Sequence, residues 1–314
     1  MKDPVRIIFM GTPDFSVPAL KALAGRNDFQ IPLVITQPDR PRGRGKKLGF
    51  SPVKEAALDL GLEVFQPDRL NNSENVALLA SHQPDFFVVV AYGQILSQEI
   101  LDIPKVYPIN IHASLLPRYR GAAPIQAAVM NMDKISGVTT MVMAKAMDAG
   151  DILLSSETSI STEDTAQDLH DRLSAMGAGL ILETIDQILE GRVEPVPQDH
   201  SQATYVTMLK KADGLIDWTR PAKQVRAQIN AMTPWPGAFT FLNKKRIKIF
   251  RAGVSLEKGE PGFILRISDQ GIHVGTGEGS LIILELMGSS GKRLRADEFL
   301  RGHRIDLPAR FTAE

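Results

Sequence analysis

Two polar side chains, Asn110 and His112, sit two residues apart in the otherwise apolar run Pro108-Ile109-Asn110-Ile111-His112. In an extended strand that spacing turns both to one face. An amide and an imidazole placed there can hydrogen-bond a carbonyl oxygen, stabilise it as it becomes an oxyanion, and shuttle a proton through the ring. The strand must stop soon afterwards, because Pro117 and Gly121 follow. An isolated Asn-x-His triplet is more often a solvent-facing strand end with a structural histidine. This one has company: Met147-Asp148-Ala149-Gly150-Asp151 lies between apolar runs at 138–143 and 152–154. Its Asp148 is a carboxylate in a turn between two strands. It can sit beside His112 and hold the ring, or take a proton from an attacking nucleophile, although Asp and Gly are also ordinary turn residues.

The elements that must carry these groups read as strand, helix and strand at parallel-sheet spacing. Residues 5–10 form an apolar run ended by Gly11, a helix follows from about Ser16, and residues 31–36 are the next strand. Ser51-Pro52 opens a helix to about Leu60, and Asn72 or Ser73 caps another through His82. Residues 86–91 are nearly all apolar, as a central strand covered on both faces requires. Ligands of open α/β sheets lie off the carboxyl ends of strands. Residues 91–96 and 113–117 should therefore border one pocket. The turn after the first strand holds only Gly11, so the dinucleotide fingerprint G-x-G-x-x-G is absent. A helix is expected over 124–132, paired strands over 137–143 and 152–159, and a long helix over 165–189 in which His170 is a surface residue.

Residues 192–207 turn to Pro, Gln, Ser and Thr and read as a linker. They divide an α/β domain at 1–191 from a smaller domain at 208–314. The latter has a helix at 222–232 and then five short segments punctuated by turn residues, at 239–242, 246–251, 262–267, 271–275 and 280–287. That pattern predicts a small OB-like β-barrel. Arg246 to Arg251 alternates basic with apolar residues; with Lys210, Lys211 and Lys248 it could form a basic face for RNA, or simply keep a small barrel soluble. A second basic stretch, Arg40, Arg42, Arg44, Lys46 and Lys47, lies in a Pro/Gly-interrupted loop that fits either bare solvent exposure or phosphate contact.

Composition narrows the classes. The 314 residues are 43% hydrophobic and carry no net charge, so nucleic-acid contact would need local patches. The absence of Cys excludes disulfides, thiolate metal sites and a Cys nucleophile. No His/Asp/Glu cluster has metal-ligand spacing, and no G-x-S-x-G elbow is present. No signal-peptide or membrane-spanning segment is visible, which points to the cytoplasm.

Asn110, His112, the Ser114-Leu115-Leu116-Pro117 loop with its Arg118-Tyr119-Arg120-Gly121 continuation, and Asp148 in Met-Asp-x-Gly-Asp together resemble the 10-formyltetrahydrofolate-dependent formyltransferases. The resemblance runs over nearly the whole chain and is closest to members that act on tRNA. It implies a Rossmann-like formyltransferase domain followed by an OB-like barrel, and a metal-free transfer of formyl from 10-formyltetrahydrofolate to the amine of initiator methionyl-tRNA. It casts Asn110, His112 and Asp148 as catalytic. Ala91, Tyr92, Gly93, Ser114, Leu115, Leu116 and Pro117 would line the folate pocket. Arg40, Arg42, Arg44, Lys46 and Lys47 would contact tRNA, aided by Lys210 and Lys248, in a monomer. The alternatives are a formyltransferase acting on an amino sugar nucleotide, and a non-catalytic RNA-binding protein; the related formyltetrahydrofolate dehydrogenases need a further large domain.

Overall fold

The structure is a computed structural model that describes residues 3–42 and 47–314. The expected basic residues Arg44 and Lys46 lie outside the described residues, as do the side chains of Arg42 and Lys47.

Strand β1 (Val5–Gly11) ends where Ser16 Oγ reaches back to the Val90 carbonyl at 2.6 Å, and helix α1 (Val17–Ala24) follows with Pro18 in its first turn. Strand β2 (Phe29–Ile35) leads into a short antiparallel pair, β3 (Arg40–Arg42) and β4 (Lys47–Gly49), inside the basic loop. The sequence shows only an irregular loop there, because three-residue strands carry no periodicity to read. Helix α2 (Pro52–Asp59) starts at Ser51, whose Oγ accepts from Lys54 N at 3.0 Å. Strand β5 (Val64–Phe65) precedes helix α3 (Ser73–Ser81), capped by Asn72 Oδ1 on Asn75 N at 2.8 Å. Both caps satisfy N–H groups that the first turn leaves open.

Strand β6 (Phe86–Val90) is buried at all five positions, each full burial contributing about 1.5–3 kcal/mol. A short helix α4 (Gln98–Leu101), strand β7 (Tyr107–His112), the two-residue strand β8 (Arg120–Gly121) and helix α5 (Pro124–Met130) come next. Strands β9 (Ile135–Val142) and β10 (Ile152–Ser159) precede the long helix α6 (Ala166–Leu189). Thr165 and Asp168 close a capping box at its start: Thr165 N donates to Asp168 Oδ2 at 2.8 Å and Asp168 N to Thr165 Oγ1 at 3.3 Å.

Seven strands form one sheet in the order β10-β9-β7-β6-β1-β2-β5. The pairs from β7 through β6, β1 and β2 to β5 are parallel, and β7 pairs antiparallel with β9. A core of Ile8, Met10, Leu33, Ile35, Phe87 and Val89 lies against one face. Residues 1–121, 136–158 and 170–205 make one compact unit; residues 122–135, 159–169 and 206–314 make another.

Strand β11 (Tyr205–Val206) falls where the first unit ends and the second resumes in the sequence, and in the second unit helix α7 (Ala222–Ala231) precedes an antiparallel sheet. Its strands are β12 (Ala238–Leu242), β13 (Lys245–Ser255), β14 (Ile264–Ser268), β15 (Gly271–Gly275), β16 (Ser280–Met287) and β17 (Arg293–Arg295), followed by helix α8 (Ala296–Gly302). They pair in the order β12-β13-β16-β15-β14, with β17 also on β16. The sheet does not leave its two outer strands bare. Phe241 on β12 exchanges hydrogen bonds with Thr312, while Gly262 and Ile264 at β14 pair with Phe311 and Ala309. The core beneath includes Trp218, Val225, Ile249, Ile283 and Phe299. The expected alternation along Arg246–Arg251 is interrupted: a register shift between Ile249 and Arg251 buries Phe250.

Buried His273 on β15 is 0% exposed. Its Nε2 meets Ser268 Oγ at 3.1 Å, Glu257 stands 3.4 Å from Nδ1, and Arg266 is its partner across the strand pair. Burial, then Arg266, holds the ring below the ordinary imidazole value of 6.5, against a smaller opposing pull from Glu257. The fold thus prefers the neutral ring; that stability is complete above 6.5 and is lost as pH falls through the depressed folded value. We expect the Tm advantage of wild type over His273→Asn to shrink between about pH 8 and about pH 5. An advantage constant with pH in thermal melts would show that this ring does not titrate with unfolding.

Candidate active site

The site forms where the parallel run of the sheet gives way to its antiparallel edge. Register across β7 and β9 sets Asn110 opposite Met141 and His112 opposite Thr139. Beyond β9 the chain turns through Asp148 before re-entering the sheet as β10, which carries the carboxylate back to the carboxyl end of β7. His112 Nδ1 lies 3.7 Å from Asp148 Oδ2. That is too long for a hydrogen bond, so the ring is not oriented by the carboxylate. It is oriented by the Tyr119 carbonyl, to which Nε2–H donates at 2.9 Å. The bond fixes the tautomer and leaves Nδ1 facing Asp148 as the position where a proton arrives or departs.

Asp148 is held independently. Gly121 N–H donates to its Oδ2 at 2.7 Å, and Gln198 Nε2 donates to its carbonyl at 3.0 Å and to that of Gly150 at 2.6 Å. At Gly150 a Cβ would run into the Val142 carbonyl, so only glycine lets the turn approach β9 this closely. Asp148 takes φ +50°, and Ala91 and Tyr119 take +47° and +58°. Two of the seven non-glycine residues with positive φ among the described residues, Asp148 and Tyr119, therefore hold the His112 site, and Ala91 borders the second cavity. Such conformations persist where the surroundings over-determine them, commonly at functional sites.

Asn110 and Asp148 open onto a cavity of about 320 Å³, also lined by Gly93–Leu96, Leu101, Met141, Met143, Ala144, Lys145 and Met147. Its size and mostly apolar wall suit a small organic ring system oriented by a few polar groups. The Gly93–Leu96 stretch is fastened by Gln94, whose Oε1 accepts from Leu70 N at 3.0 Å, and by Asn71 Nδ2 on the Ile95 carbonyl at 2.8 Å. A second cavity of about 310 Å³ is lined by Thr12, Gln37, Arg40, Ser51, Ala91, Tyr92 and Gly93.

Of the expected pocket residues, Gly93 reaches both cavities, whereas Ala91 and Tyr92 reach only the second. The Tyr92 hydroxyl is buried without a partner among the described residues, and burial pushes the phenol up to about 12. Ser114, Leu115, Leu116 and Pro117 line neither cavity. They turn inward: Ser114 Oγ donates to the Arg118 carbonyl at 2.6 Å, and Thr139 Oγ1 ties Ser114 O and Leu116 N. The methionine wall and Gln198 were missed from the sequence. Met141 was recoverable as the partner of Asn110 had the antiparallel register been assumed; Gln198 lay in a stretch read as linker. Arg40 Nη2 approaches Gln37 Oε1 at 3.5 Å, Lys210 is exposed, and Lys248 is half-buried in the second unit. His170 lies partly buried against Phe15 and pairs with Asp171 at 2.9 Å. No group of residues with metal-binding geometry occurs among the described residues.

Comparison with known proteins agrees with this layout. Residues 5–185 match the family model described as formyl transferase, and residues 208–304 match the formyl transferase C-terminal domain. A protein of Geobacter sulfurreducens named methionyl-tRNA formyltransferase is 50% identical over 302 residues, covering 96% of this chain and 95% of its own. A Clostridium novyi protein of the same name is 45% identical over 306 residues, with 96% and 98% covered. Among solved structures, WlaRD, a sugar 3N-formyl transferase crystallised with dTDP and 5-N-formyl-THF, is similar at TM-score 0.68 and 21% identity, covering 91% of this chain and 98% of that one. HypX from Aquifex aeolicus in complex with tetrahydrofolic acid is similar at TM-score 0.62 and 19% identity, covering 94% and 46%. These two likenesses concern the fold alone, whereas the family match spans more than half of the sequence. The chain belongs to the formyl transferase family.

Proposed function

We propose that the chain transfers the formyl group of 10-formyltetrahydrofolate to the free α-amine of initiator methionyl-tRNA, giving N-formylmethionyl-tRNA and tetrahydrofolate. The observation that carries the chemistry is the convergence of Asn110, His112 and Asp148 beside an apolar cavity. The full-length likeness to relatives bearing that activity in their names favours tRNA over an amino sugar as acceptor.

The folate ring system occupies the cavity walled by Leu96, Leu101, Met141 and Met143, which sets the formyl carbon beside Asn110. The amine nitrogen attacks that carbon. Asn110 Nδ2 donates to the oxygen as it gains charge, which is worth most in a site that excludes water. The attacking nitrogen must lose a proton and the folate N10 must gain one as its bond to carbon breaks. His112 Nδ1 and Asp148 Oδ2, facing each other across 3.7 Å, supply a route between them. No covalent enzyme intermediate is needed.

The acceptor's phosphates call for cations without a carboxylate partner, and the second unit has several of them, with Arg246 and Lys211 close enough to act on Lys248. Among the described residues, Lys211, Lys244, Lys245, Arg246 and Lys248 have no carboxylate within ion-pair distance, whereas Arg226, Arg266, Arg293, Arg295, Arg301 and Arg304 are all paired. Lys248 donates to the Pro236 carbonyl at 2.9 Å, and its amine is held below the ordinary lysine value by burial first and then by Arg246 and Lys211. Like charges gathered this way favour a polyanion. The basic loop from Arg40 to Lys47 is assigned to the same partner.

His112→Ala and Asn110→Ala should each lower turnover on the order of 100- to 1000-fold with a near-normal melting curve. Wild-type turnover in either variant, measured with both substrates saturating, would defeat the assignment of that residue. For the basic face, Lys211→Gln with Lys248→Gln should weaken tRNA binding and flatten the slope of log K against log salt by about one unit per lost phosphate contact. Trp235 offers the readout: it is 53% exposed beside Pro236, and the chain's other tryptophan, Trp218, is buried. An unchanged salt slope in a fluorescence titration would place the tRNA elsewhere.

A further inference from the structure

Among the described residues Arg120 is the largest fully buried side chain, at 1% exposed. The hydrogen-bond partners of its guanidinium are uncharged acceptors. Gln198 Oε1 takes two bonds, 3.1 Å from Nε and 2.6 Å from Nη2; the Tyr205 hydroxyl takes one from Nη1 at 3.1 Å; His200 Nδ1 takes one from Nη2 at 3.0 Å. A buried cation without a countercharge is poor stabilisation, and apolar replacement of buried charges is often neutral or better. Its presence calls for another reason.

That reason lies on the far side of Gln198. A glutamine amide has two ends of nearly equal size and can sit either way round. Two N–H donors from Arg120 fix which end is oxygen, so Nε2 must face the opposite direction. There it donates to the carbonyl of Asp148, which has a positive φ, and to that of Gly150 two residues on. The residue after Arg120 completes the grip, because Gly121 N–H holds the Asp148 carboxylate itself.

We propose that Arg120 and Gln198 are positioning residues for the transfer reaction: the guanidinium sets the amide, and the amide holds the Asp148 turn so that its carboxylate faces His112 Nδ1. This rests on the reading that Asp148 serves proton transfer. Neither residue lines the cavity that Asn110 and Asp148 open onto.

Variants of the full chain test this, with formyl transfer from 10-formyltetrahydrofolate to methionyl-tRNA and Tm as readouts. Gln198→Glu keeps both bonds from Arg120 but removes the two Nε2 donors. We expect kcat to fall on the order of 10- to 100-fold, since small displacements of a reacting group cost about that much, while both KM values stay near wild type. In an Asp148→Asn background the same change should cost nothing further, because the loss runs through that carboxylate. A full additional penalty there marks a merely structural role and overturns the proposal. Arg120→Met removes the buried charge and keeps much of the volume, so Tm should hold while kcat falls; this variant serves if Gln198→Glu does not fold. Wild-type kcat in Gln198→Glu or Arg120→Met, with Asp148→Asn inactive, refutes the clamp alone. Wild-type kcat in Asp148→Asn removes the reading beneath it.

Discussion

The antiparallel pairing of β9 against β7 is the contact on which the site depends. A sheet that stayed parallel would send each strand's carboxyl end into a separate crossover, and the groups at those ends would come from independent loops. Reversing one strand at the edge makes β9 enter beside His112, with Thr139 opposite it, and run back past Asn110 to Ile109. Met141 then falls opposite Asn110 by register alone, and the turn beyond β9 delivers Asp148 to His112. One strand pair thus builds the apolar wall and the polar corner of the cavity together. Because the pairing is fixed by backbone hydrogen bonds, the placement of Asn110 against Met141 and of His112 against Thr139 does not rely on long flexible side chains.

The remaining precision comes from short local bonds. The His112 ring is held by the carbonyl of Tyr119, and Tyr119 is itself held in a left-handed conformation by Thr204 Oγ1 on its N–H at 2.8 Å. Strain is stored on each side of the imidazole rather than within it. Such an arrangement keeps the reactive nitrogen in place without occupying it, which a direct hydrogen bond from Asp148 would not allow.

Much of this was legible beforehand. Period-two spacing put Asn110 and His112 on one face of a strand, and the strand is Tyr107–His112. The uninterrupted apolar run at Phe86–Val90 gave a doubly covered central strand, and Ser51 and Asn72 announced helix starts by their type. What escaped notice was set by tertiary contact. Arg120–Gly121 and Tyr205–Val206 are two-residue strands whose partner lies far along the chain. Gln198 sits among Pro, Asp and Ser, a composition that reads as solvated, yet it is 6% exposed because three carbonyl and guanidinium groups converge on its amide. The Ser114–Pro117 loop was drawn to the pocket by the rule for strand ends, but Thr139 pulls it inward.

Closure of the second unit's sheet depends on a stretch near the carboxyl terminus. Residues 309–312 lie along both outermost strands at once, bonding to Gly262 and Ile264 on one side and Phe241 on the other. They act as a hasp. Trimming them would unzip two rows of backbone donors and acceptors simultaneously, and exposed strand edges of this kind template association between copies. Shortening the chain by a handful of residues would therefore trade a self-contained fold for a sticky one, and a purification handle belongs after a spacer rather than against Thr312.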